Sequence, residues 1–311
     1  MRVLVTGADG FVGRYLVRRL LERGDEVGAA CRPGGPGLPP QRGLTAIPFE
    51  LTDDAVVGAA LGYAPDTVIH LAAVASTREA RADPGRAWAV NAGGTARLAE
   101  AMAARRGAGR GDPALLVVSS GEVYGTGTGA LRRETDPLQP ISAYAATKVG
   151  TEVAALEVWR RTGLPTIVAR PFTHTGPGQD PRFVLPAFAG RLREARLTGA
   201  REVPTGNLDP VRDLLDVRDV VEAYLALIDR GQPGEIYNIA RGEGCTLREI
   251  FRRLSELVGV AAEPRPSAEL TRRQDISHLV GDTTKLREAT GWSPRISLDA
   301  TLRGLVDAQA D

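Results

Sequence analysis

The sequence has few residues that could build a disulfide framework or a metal site. Among 311 residues it has 2 cysteines, Cys31 and Cys245, and 3 histidines. The cysteines lie far apart, and neither stands at the spacing that metal ligands require. We therefore expect no disulfide framework and no metal centre. The two thiols are expected to be inert packing groups.

Long apolar runs and an excess of one charge are also lacking. No apolar run approaches the ~18 residues that suggest a membrane-spanning helix. The formal net charge is +1 and there is no basic tract, which argues against nucleic acid and anionic membranes as partners. The strand-like stretch at residues 2–5 leaves no room for a signal peptide. We therefore expect a soluble, cytoplasmic protein.

Strands alternate with helices along the first 170 residues. This alternation predicts right-handed βαβ units and an α/β fold, a Rossmann-type doubly wound parallel sheet. The length allows one large domain with a smaller lobe. The predicted strands span 2–6, 26–31, 45–49, 67–71, 114–119 and 165–170, and the predicted helices span 14–22, 54–61, 84–106 and 143–161.

After Arg170 the pattern becomes irregular. We predict a dinucleotide-binding domain over 1–170 and a smaller α/β substrate lobe over 171–311, with about 208–240 returning to the first domain. Residues 262–281 are expected to be mostly loop. The other predicted elements are helices over 183–196, 217–230, 247–258, 282–290 and 298–308 and a strand over 235–240.

Three glycines, Gly7, Gly10 and Gly13, stand between the first strand and the first helix. Such a turn is tight, lets the backbone approach a pyrophosphate and allows close packing of helix on strand. The helix N-terminus then faces the phosphates. The alternative is a glycine-rich turn without a ligand, which the strand–turn–helix context disfavours.

The second strand ends at Cys31-Arg32, where a Rossmann unit commonly carries an acid for the ribose hydroxyl. No carboxylate at this end would repel a 2′-phosphate, and the Arg32 guanidinium could bind one. This favours NADP over NAD. A solvated loop arginine is the alternative, so NAD remains possible.

Tyr144 and Lys148 lie four residues apart, which places both on one face of a helix. A phenol normally titrates near ~10. A nearby ammonium lowers that pKa, so the phenol can exchange a proton with a substrate oxygen. The spacing alone is weak support, because many solvated helix faces share it. It gains weight from the glycine-rich turn that opens the chain and from Ser119-Ser120, which ends a strand about 25 residues earlier.

Several motifs in order resemble the extended short-chain dehydrogenase/reductases, the NAD-dependent epimerase/dehydratase family that acts on nucleotide sugars. They are Gly-x-x-Gly-x-x-Gly at 7–13, His70-Leu71-Ala72-Ala73, Asn91 with Gly94-Thr95, Ser119 to Gly125 and Tyr144-x-x-x-Lys148. The later motifs look like the branch of GDP-mannose 4,6-dehydratases and GDP-4-keto-6-deoxymannose reductases. They are Ala169 to Gln179, Gly206 to Leu208, Val211 to Asp213 and Asp216 to Asp219.

The resemblance implies roles for individual residues. Tyr144 would be the general acid/base, Lys148 would lower its pKa and hold the nicotinamide ribose, and Ser120 would bond the same sugar oxygen. Further cofactor contacts are implied for Gly7, Asp9, Gly10, Phe11, Val12, Gly13, Arg32, Glu50, Leu51, Leu71, Ala72, Ala73, Asn91, Pro171 and His174. Substrate contacts are implied for Glu122, Thr173, Val184, Asn207, Arg212 and Arg272.

Glu122 and the residue before it help to distinguish dehydration from reduction within this branch. In the dehydratases an acid at this position removes a sugar proton and a neighbouring donor helps water leave. Here that neighbour is Gly121, so the resemblance favours an NADPH-dependent reductase of a GDP-linked 4-keto-6-deoxy sugar. A dehydratase or epimerase with recycled cofactor is the alternative. Thr173 stands where this branch usually has Asn, which leaves the sugar-ring contacts and the substrate open. The family also implies a homodimer or tetramer.

A third hypothesis, from another class of protein, is a dinucleotide-binding regulator without turnover. Such a protein is expected to have a degraded Ser/Tyr/Lys set. Ser120, Tyr144 and Lys148 are all present, which disfavours it.

Overall fold

A seven-stranded parallel sheet forms the centre of the fold. The structure is a computed structural model and describes residues 1–126, 129–271 and 275–308. The strands are Arg2–Thr6 (β1), Glu26–Cys31 (β2), Leu44–Pro48 (β3), Thr67–His70 (β4), Ala114–Val118 (β5), Thr166–Pro171 (β6) and Ile236–Ile239 (β10). Their spatial order is β10-β6-β5-β4-β1-β2-β3. Strand order therefore reverses beside β1, the position where doubly wound folds bind ligands.

Helices cover both faces of this sheet, so its strands are buried on both sides. One face packs against Phe11–Glu22 (α1), Val217–Arg230 (α8) and Thr284–Thr290 (α10). The other packs against Asp54–Leu61 (α2), Gly94–Gly107 (α5) and Ala143–Thr162 (α6). The predicted α/β fold with a Rossmann-like parallel sheet is confirmed.

The helix predicted over 84–106 is interrupted in the structure. It consists of Pro84–Trp88 (α4), a π-helical segment at Ala89–Gly93 and α5, and it is preceded by Thr77–Ala82 (α3). The Asn91 side chain inside the π segment bonds both backbone groups of Val74. Widened helical turns of this kind often mark functional sites. The prediction of one continuous helix was therefore wrong.

Smaller sheets follow β6. Thr173–Thr175 (β7), Val211–Asp216 (β9), Gly244–Thr246 (β11) and His278–Leu279 (β13) form one, while Glu202–Thr205 (β8) and Glu263–Pro266 (β12) form another. Val184–Thr198 (α7), Leu247–Val258 (α9) and Leu298–Asp307 (α11) pack together beside them. The stretch 262–281, expected to be mostly loop, thus contains two short strands. Tertiary pairing creates them, because neither alternates apolar and polar residues clearly.

Membrane spans and metal clusters were searched within the described ranges. No helix there is both long and apolar enough to cross a membrane. The same ranges hold no group of three or more His, Cys, Asp or Glu side chains that could bind a metal ion. Cys31 and Cys245 are free, partly buried thiols.

Candidate active site

A cavity of about 830 Å³ opens at the carboxyl ends of β1, β4, β5 and β6. It is lined by the large sheet on one side and by residues of the α7 and β9 region on the other. Every predicted site residue that the structure describes lines this cavity, with the exception of Asn91. Arg272 lies outside the described residues. The fold therefore brings together side chains that are up to about 200 residues apart.

The glycine turn forms the part of the cavity that suits a pyrophosphate. Gly7 has a φ of +68°, which side chains rarely adopt, and a Cβ built on Gly13 would lie 2.3 Å from the Gly7 carbonyl oxygen. Gly10 caps α1 without a side-chain hydrogen bond, and the first turn carries no acidic residue. The helix N-terminus therefore offers backbone N–H groups to an anion. These features fit the phosphates of a dinucleotide.

Arg32 and Glu50 lie in the same cavity at the ends of β2 and β3. The Arg32 guanidinium makes no hydrogen bond or ion pair with any described residue. The Glu50 carboxylate is turned toward Thr52, accepting hydrogen bonds from its backbone N–H at 3.2 Å and its hydroxyl at 2.9 Å. The nearby Asp9 carboxylate accepts a hydrogen bond from the Gly37 N–H at 3.4 Å. Among the described residues at the ends of β2 and β3, Arg32 is thus an available cation beside carboxylates that already have local partners.

Helix α6 presents the catalytic candidates. Ser142 caps it by accepting a hydrogen bond from the Ala145 N–H at 3.1 Å, so the helix starts just before Tyr144. Lys148 lies one turn later, and its ammonium donates to the Val118 carbonyl at 2.8 Å. The ammonium lies 6.0 Å from the centroid of the Tyr144 ring. Ser120 follows β5 at the same edge, where its hydroxyl accepts a hydrogen bond from the Glu122 N–H at 3.2 Å and lies close enough to the Tyr144 hydroxyl to lower its pKa.

The pKa of Tyr144 is raised in the structure, whereas the sequence analysis expected Lys148 to lower it. Burial raises it well above the usual value, the Glu122 carboxylate raises it further, and hydrogen bonding with Ser120 only partly opposes them. Lys148 is itself buried, and burial lowers its pKa to about 8. The ammonium lies toward the Val118 carbonyl and does not produce the lowered phenol pKa that the motif suggested. At neutral pH the Tyr144 hydroxyl is therefore protonated, the state of a general acid.

Asn91 lies behind the cavity wall. Its amide accepts from the Val74 N–H at 2.7 Å and donates to the Thr147 hydroxyl at 2.8 Å. These bonds turn the side chain into the protein. Asn91 instead fixes the loop after β4 against α6.

The two histidines near the site are held by hydrogen bonds within the protein. His70 bonds the Thr6 hydroxyl at 2.7 Å and the Thr95 hydroxyl at 3.2 Å, and burial lowers its pKa to about 3. His174 bonds the Phe172 carbonyl at 2.9 Å and stacks on Phe11 at 6.5 Å between ring centroids. Neutral His70 braces the turn beneath the cavity, and His174 forms part of its wall.

The far side of the cavity holds the predicted substrate residues Thr173, Val184, Asn207 and Arg212. The Arg212 guanidinium donates to Asp275 at 2.7 Å and to the Ile276 carbonyl at 2.6 Å. These bonds fix its position before any ligand arrives.

Sequence reasoning missed Arg191 and Asp275 on this side, which also line the cavity. Arg191 donates to the Pro204 carbonyl at 3.0 Å. Neither residue stands in a recognisable motif, so only the tertiary structure could identify them.

A buried ion pair behind Ser120 was also missed. Arg170 donates two hydrogen bonds to Glu152, at 2.8 and 2.6 Å, and a third to the Tyr124 hydroxyl at 2.8 Å. The Ser119 hydroxyl bonds the same Glu152 carboxylate. One signal was available, because Glu152 follows Lys148 by four residues on the catalytic face of α6. The ion pair joins β5, α6 and β6 beneath the catalytic residues.

Comparisons with known proteins agree with this geometry. The model of the NAD dependent epimerase/dehydratase family matches residues 3–240. GDP-6-deoxy-D-mannose reductase from Pseudomonas aeruginosa is 34% identical over 98% of this chain and 96% of its own length.

Two solved structures are similar across nearly the whole chain. The structure of RMD from Pseudomonas aeruginosa complexed with NADPH has a TM-score of 0.85 and 33% identity, covering 99% of this chain and 98% of that one. UDP-glucose 4-epimerase from Thermus thermophilus in complex with NAD has a TM-score of 0.86 and 32% identity over the same shares. The chain therefore belongs to the NAD-dependent epimerase/dehydratase family and is an NAD(P)-dependent extended short-chain dehydrogenase/reductase acting on nucleotide sugars.

Proposed function

We propose that this enzyme is an NADPH-dependent reductase of a GDP-linked 4-keto-6-deoxy sugar. The observation that carries the proposal is the turn Ser120-Gly121-Glu122. A Cβ built on Gly121 would lie 3.0 to 3.1 Å from the Phe172 ring, so the turn packs closely without a side chain at this position. Loss of water from a sugar needs a proton donor beside the base, and glycine offers none.

The catalytic side chains suit proton donation during reduction. When bound, NADPH supplies the hydride for C4 of the keto sugar. The protonated Tyr144 hydroxyl donates its proton to the C4 oxygen, and the Ser120 hydroxyl bonds the same oxygen. The Lys148 ammonium places positive charge near the oxygen that gains negative charge. Stabilisation of developing charge by fixed groups is often the largest catalytic contribution.

Two arginines are proposed to hold the substrate diphosphate. Arg212 lines the cavity with its guanidinium fixed by Asp275, and Arg272 is its proposed partner. Planar guanidinium groups suit paired contacts with phosphate oxygens. The likeness to the GDP-6-deoxy-D-mannose reductase supports a GDP-linked sugar.

We also propose a cytoplasmic protein with a boundary near residue 170 between the cofactor domain and the substrate lobe.

A homodimer or tetramer is proposed to form through the helices at 84–106 and 143–161. Support comes from Trp88 and Val153 on those helices, which are 45% and 61% exposed although apolar. Contiguous exposed apolar patches can mark protein contact surfaces.

Consumption of the cofactor tests the reaction class. With GDP-4-keto-6-deoxymannose the reductase is expected to oxidise one equivalent of NADPH per sugar, measured as loss of the reduced-nicotinamide absorbance band. The second candidate is an epimerase or dehydratase that recycles its cofactor, a class supported by the similar Thermus thermophilus epimerase. Conversion of a nucleotide sugar with no net change in that band would reject the reductase and favour this candidate.

Replacement of Arg32 by alanine tests the choice of cofactor. We expect NADPH affinity to fall about 10- to 100-fold, because hydrogen bonds to charged groups contribute about 1.5–3 kcal/mol. NADH affinity should stay nearly unchanged, since NADH lacks the 2′-phosphate. Both dissociation constants can be measured by nucleotide fluorescence.

The control is Arg18→Ala, which removes an exposed arginine paired with Glu22 on the outer side of α1. This variant should bind both nucleotides normally. An equal loss of NADPH and NADH affinity in Arg32→Ala would contradict a role in binding the 2′-phosphate.

A further inference from the structure

The residues on both sides of the catalytic segment, Ser120 to Val123, are bonded to one buried ion pair. Ser119, directly before the segment, donates a hydrogen bond from its hydroxyl to the Glu152 carboxylate. The hydroxyl of Tyr124, directly after it, accepts a hydrogen bond from the Arg170 guanidinium at 2.8 Å. Arg170 and Glu152 are themselves paired at 2.6 Å. One buried group therefore holds both residues that flank the segment.

The bonds within the catalytic segment are local. The Ser120 hydroxyl accepts a hydrogen bond from the Glu122 N–H at 3.2 Å, and the Ser120 carbonyl accepts one from the Val123 N–H at 3.3 Å. These bonds shape the turn, but neither reaches α6, the helix that carries Tyr144. Glu152 lies on the same helix about two turns after Tyr144. The ion pair therefore connects the segment with the helix of the proposed acid.

A second bond from α6 reaches the same end of β5. The Lys148 ammonium donates to the carbonyl of Val118, the residue before Ser119, at 2.8 Å. The resemblance assigns Lys148 to the nicotinamide ribose, so a bound cofactor competes with this bond. Glu152 does not line the cavity. A bound dinucleotide therefore leaves the bond between Glu152 and Ser119 in place.

Stability alone does not account for a buried ion pair at this place. Burial removes the hydration of both charges, and apolar residues of similar volume often stabilise a fold equally well. A paired guanidinium and carboxylate add direction, because their hydrogen bonds form in a fixed planar geometry. Here that geometry is applied to Ser119 and Tyr124.

We propose that the Arg170–Glu152 pair positions the Ser120 hydroxyl by holding both residues that flank the catalytic segment. Neither member of the pair lines the cavity, so both act through Ser119 and Tyr124 and not on the reacting atoms. The inference rests on the proposed role of Ser120. It does not depend on the choice between reductase, epimerase and dehydratase.

Ser119→Ala and Tyr124→Phe each remove one of the two bonds and leave the ion pair intact. We expect kcat to fall about tenfold in each variant, because small displacements of catalytic groups are costly. The dissociation constant of NADPH should stay nearly unchanged, since the glycine turn and Arg32 are untouched. Turnover is measured at saturating NADPH with the nucleotide sugar that the wild type converts, beginning with GDP-4-keto-6-deoxymannose.

A double-mutant cycle with Ser120→Ala distinguishes positioning from general damage. If Ser119 acts through the Ser120 hydroxyl, adding Ser119→Ala to Ser120→Ala should lower kcat hardly further, because the positioned group is already gone. Equal fold losses in both backgrounds would overturn the inference. Unchanged kcat in both Ser119→Ala and Tyr124→Phe would also overturn it. Unchanged kcat in Ser120→Ala would instead reject the proposed role of Ser120.

Tyr237→Phe is the matched control for Tyr124→Phe. Both tyrosines are fully buried, and the Tyr237 hydroxyl accepts a hydrogen bond from the Gln232 N–H at 3.1 Å, away from the ion pair. Loss of this bond should lower the melting temperature and leave kcat and NADPH affinity at their wild-type values. A fall in kcat as large as that of Tyr124→Phe would show a general effect of losing a buried hydroxyl and would reject the inference.

Discussion

Replacement of Tyr144 by phenylalanine is expected to lower kcat about 10²- to 10⁴-fold, the usual contribution of a positioned acid. The Tyr144 hydroxyl is protonated at neutral pH, because burial and the Glu122 carboxylate raise its pKa. It lies near Ser120 inside the cavity and is the proposed donor to the sugar oxygen. Phenylalanine keeps the ring and removes only that proton donor.

Cofactor affinity distinguishes the loss of proton donation from a general loss of cofactor binding in this variant. Tyr144→Phe should bind NADPH nearly as tightly as the wild type, since the glycine turn and Arg32 are untouched. Stopped-flow kinetics and nucleotide fluorescence measure the two quantities separately. The control is Tyr15→Phe, because the Tyr15 hydroxyl donates to the Pro177 carbonyl outside the cavity. Normal turnover in Tyr144→Phe would remove this phenol from the mechanism.

Replacement of Glu152 by glutamine is expected to lower the free energy of unfolding by about 3–5 kcal/mol, the range for breaking a buried ion pair on one side. The side chains of Arg170 and Glu152 are only 2% and 4% exposed. Glutamine keeps the shape but leaves the Arg170 charge without its counterion. The Ser119 hydroxyl also loses its carboxylate partner. Urea unfolding followed by circular dichroism gives the free-energy difference.

Glu157→Gln is the matched control, from the same helix. Glu157 pairs with Arg161 at 2.7 Å, and both side chains are about half exposed. Because solvent screens exposed ion pairs, this variant should unfold almost like the wild type. If both glutamine variants unfold at the same urea concentration, the Arg170–Glu152 pair does not stabilise the fold in the way proposed.

Local patterns in the sequence determined much of the fold. The strand–turn–helix at 2–22 was predictable because glycines at 7, 10 and 13 permit a turn that other residues cannot adopt. The alternation of strands and helices indicated the parallel sheet, since helical crossovers join parallel strands. The π segment at Ala89–Gly93 was not predictable, because it depends on bonds between Asn91 and the distant Val74.

The candidate site also combines features that the sequence predicted with features that only the tertiary structure determined. The four-residue spacing placed Tyr144 and Lys148 on one helix face, and the resemblance placed Ser120 beside them. Tertiary structure alone decided that burial would raise the pKa of the phenol, because a pKa depends on the full surroundings of the group. A sequence fixes which groups are present along each helix, but only packing brings distant elements together and removes their water.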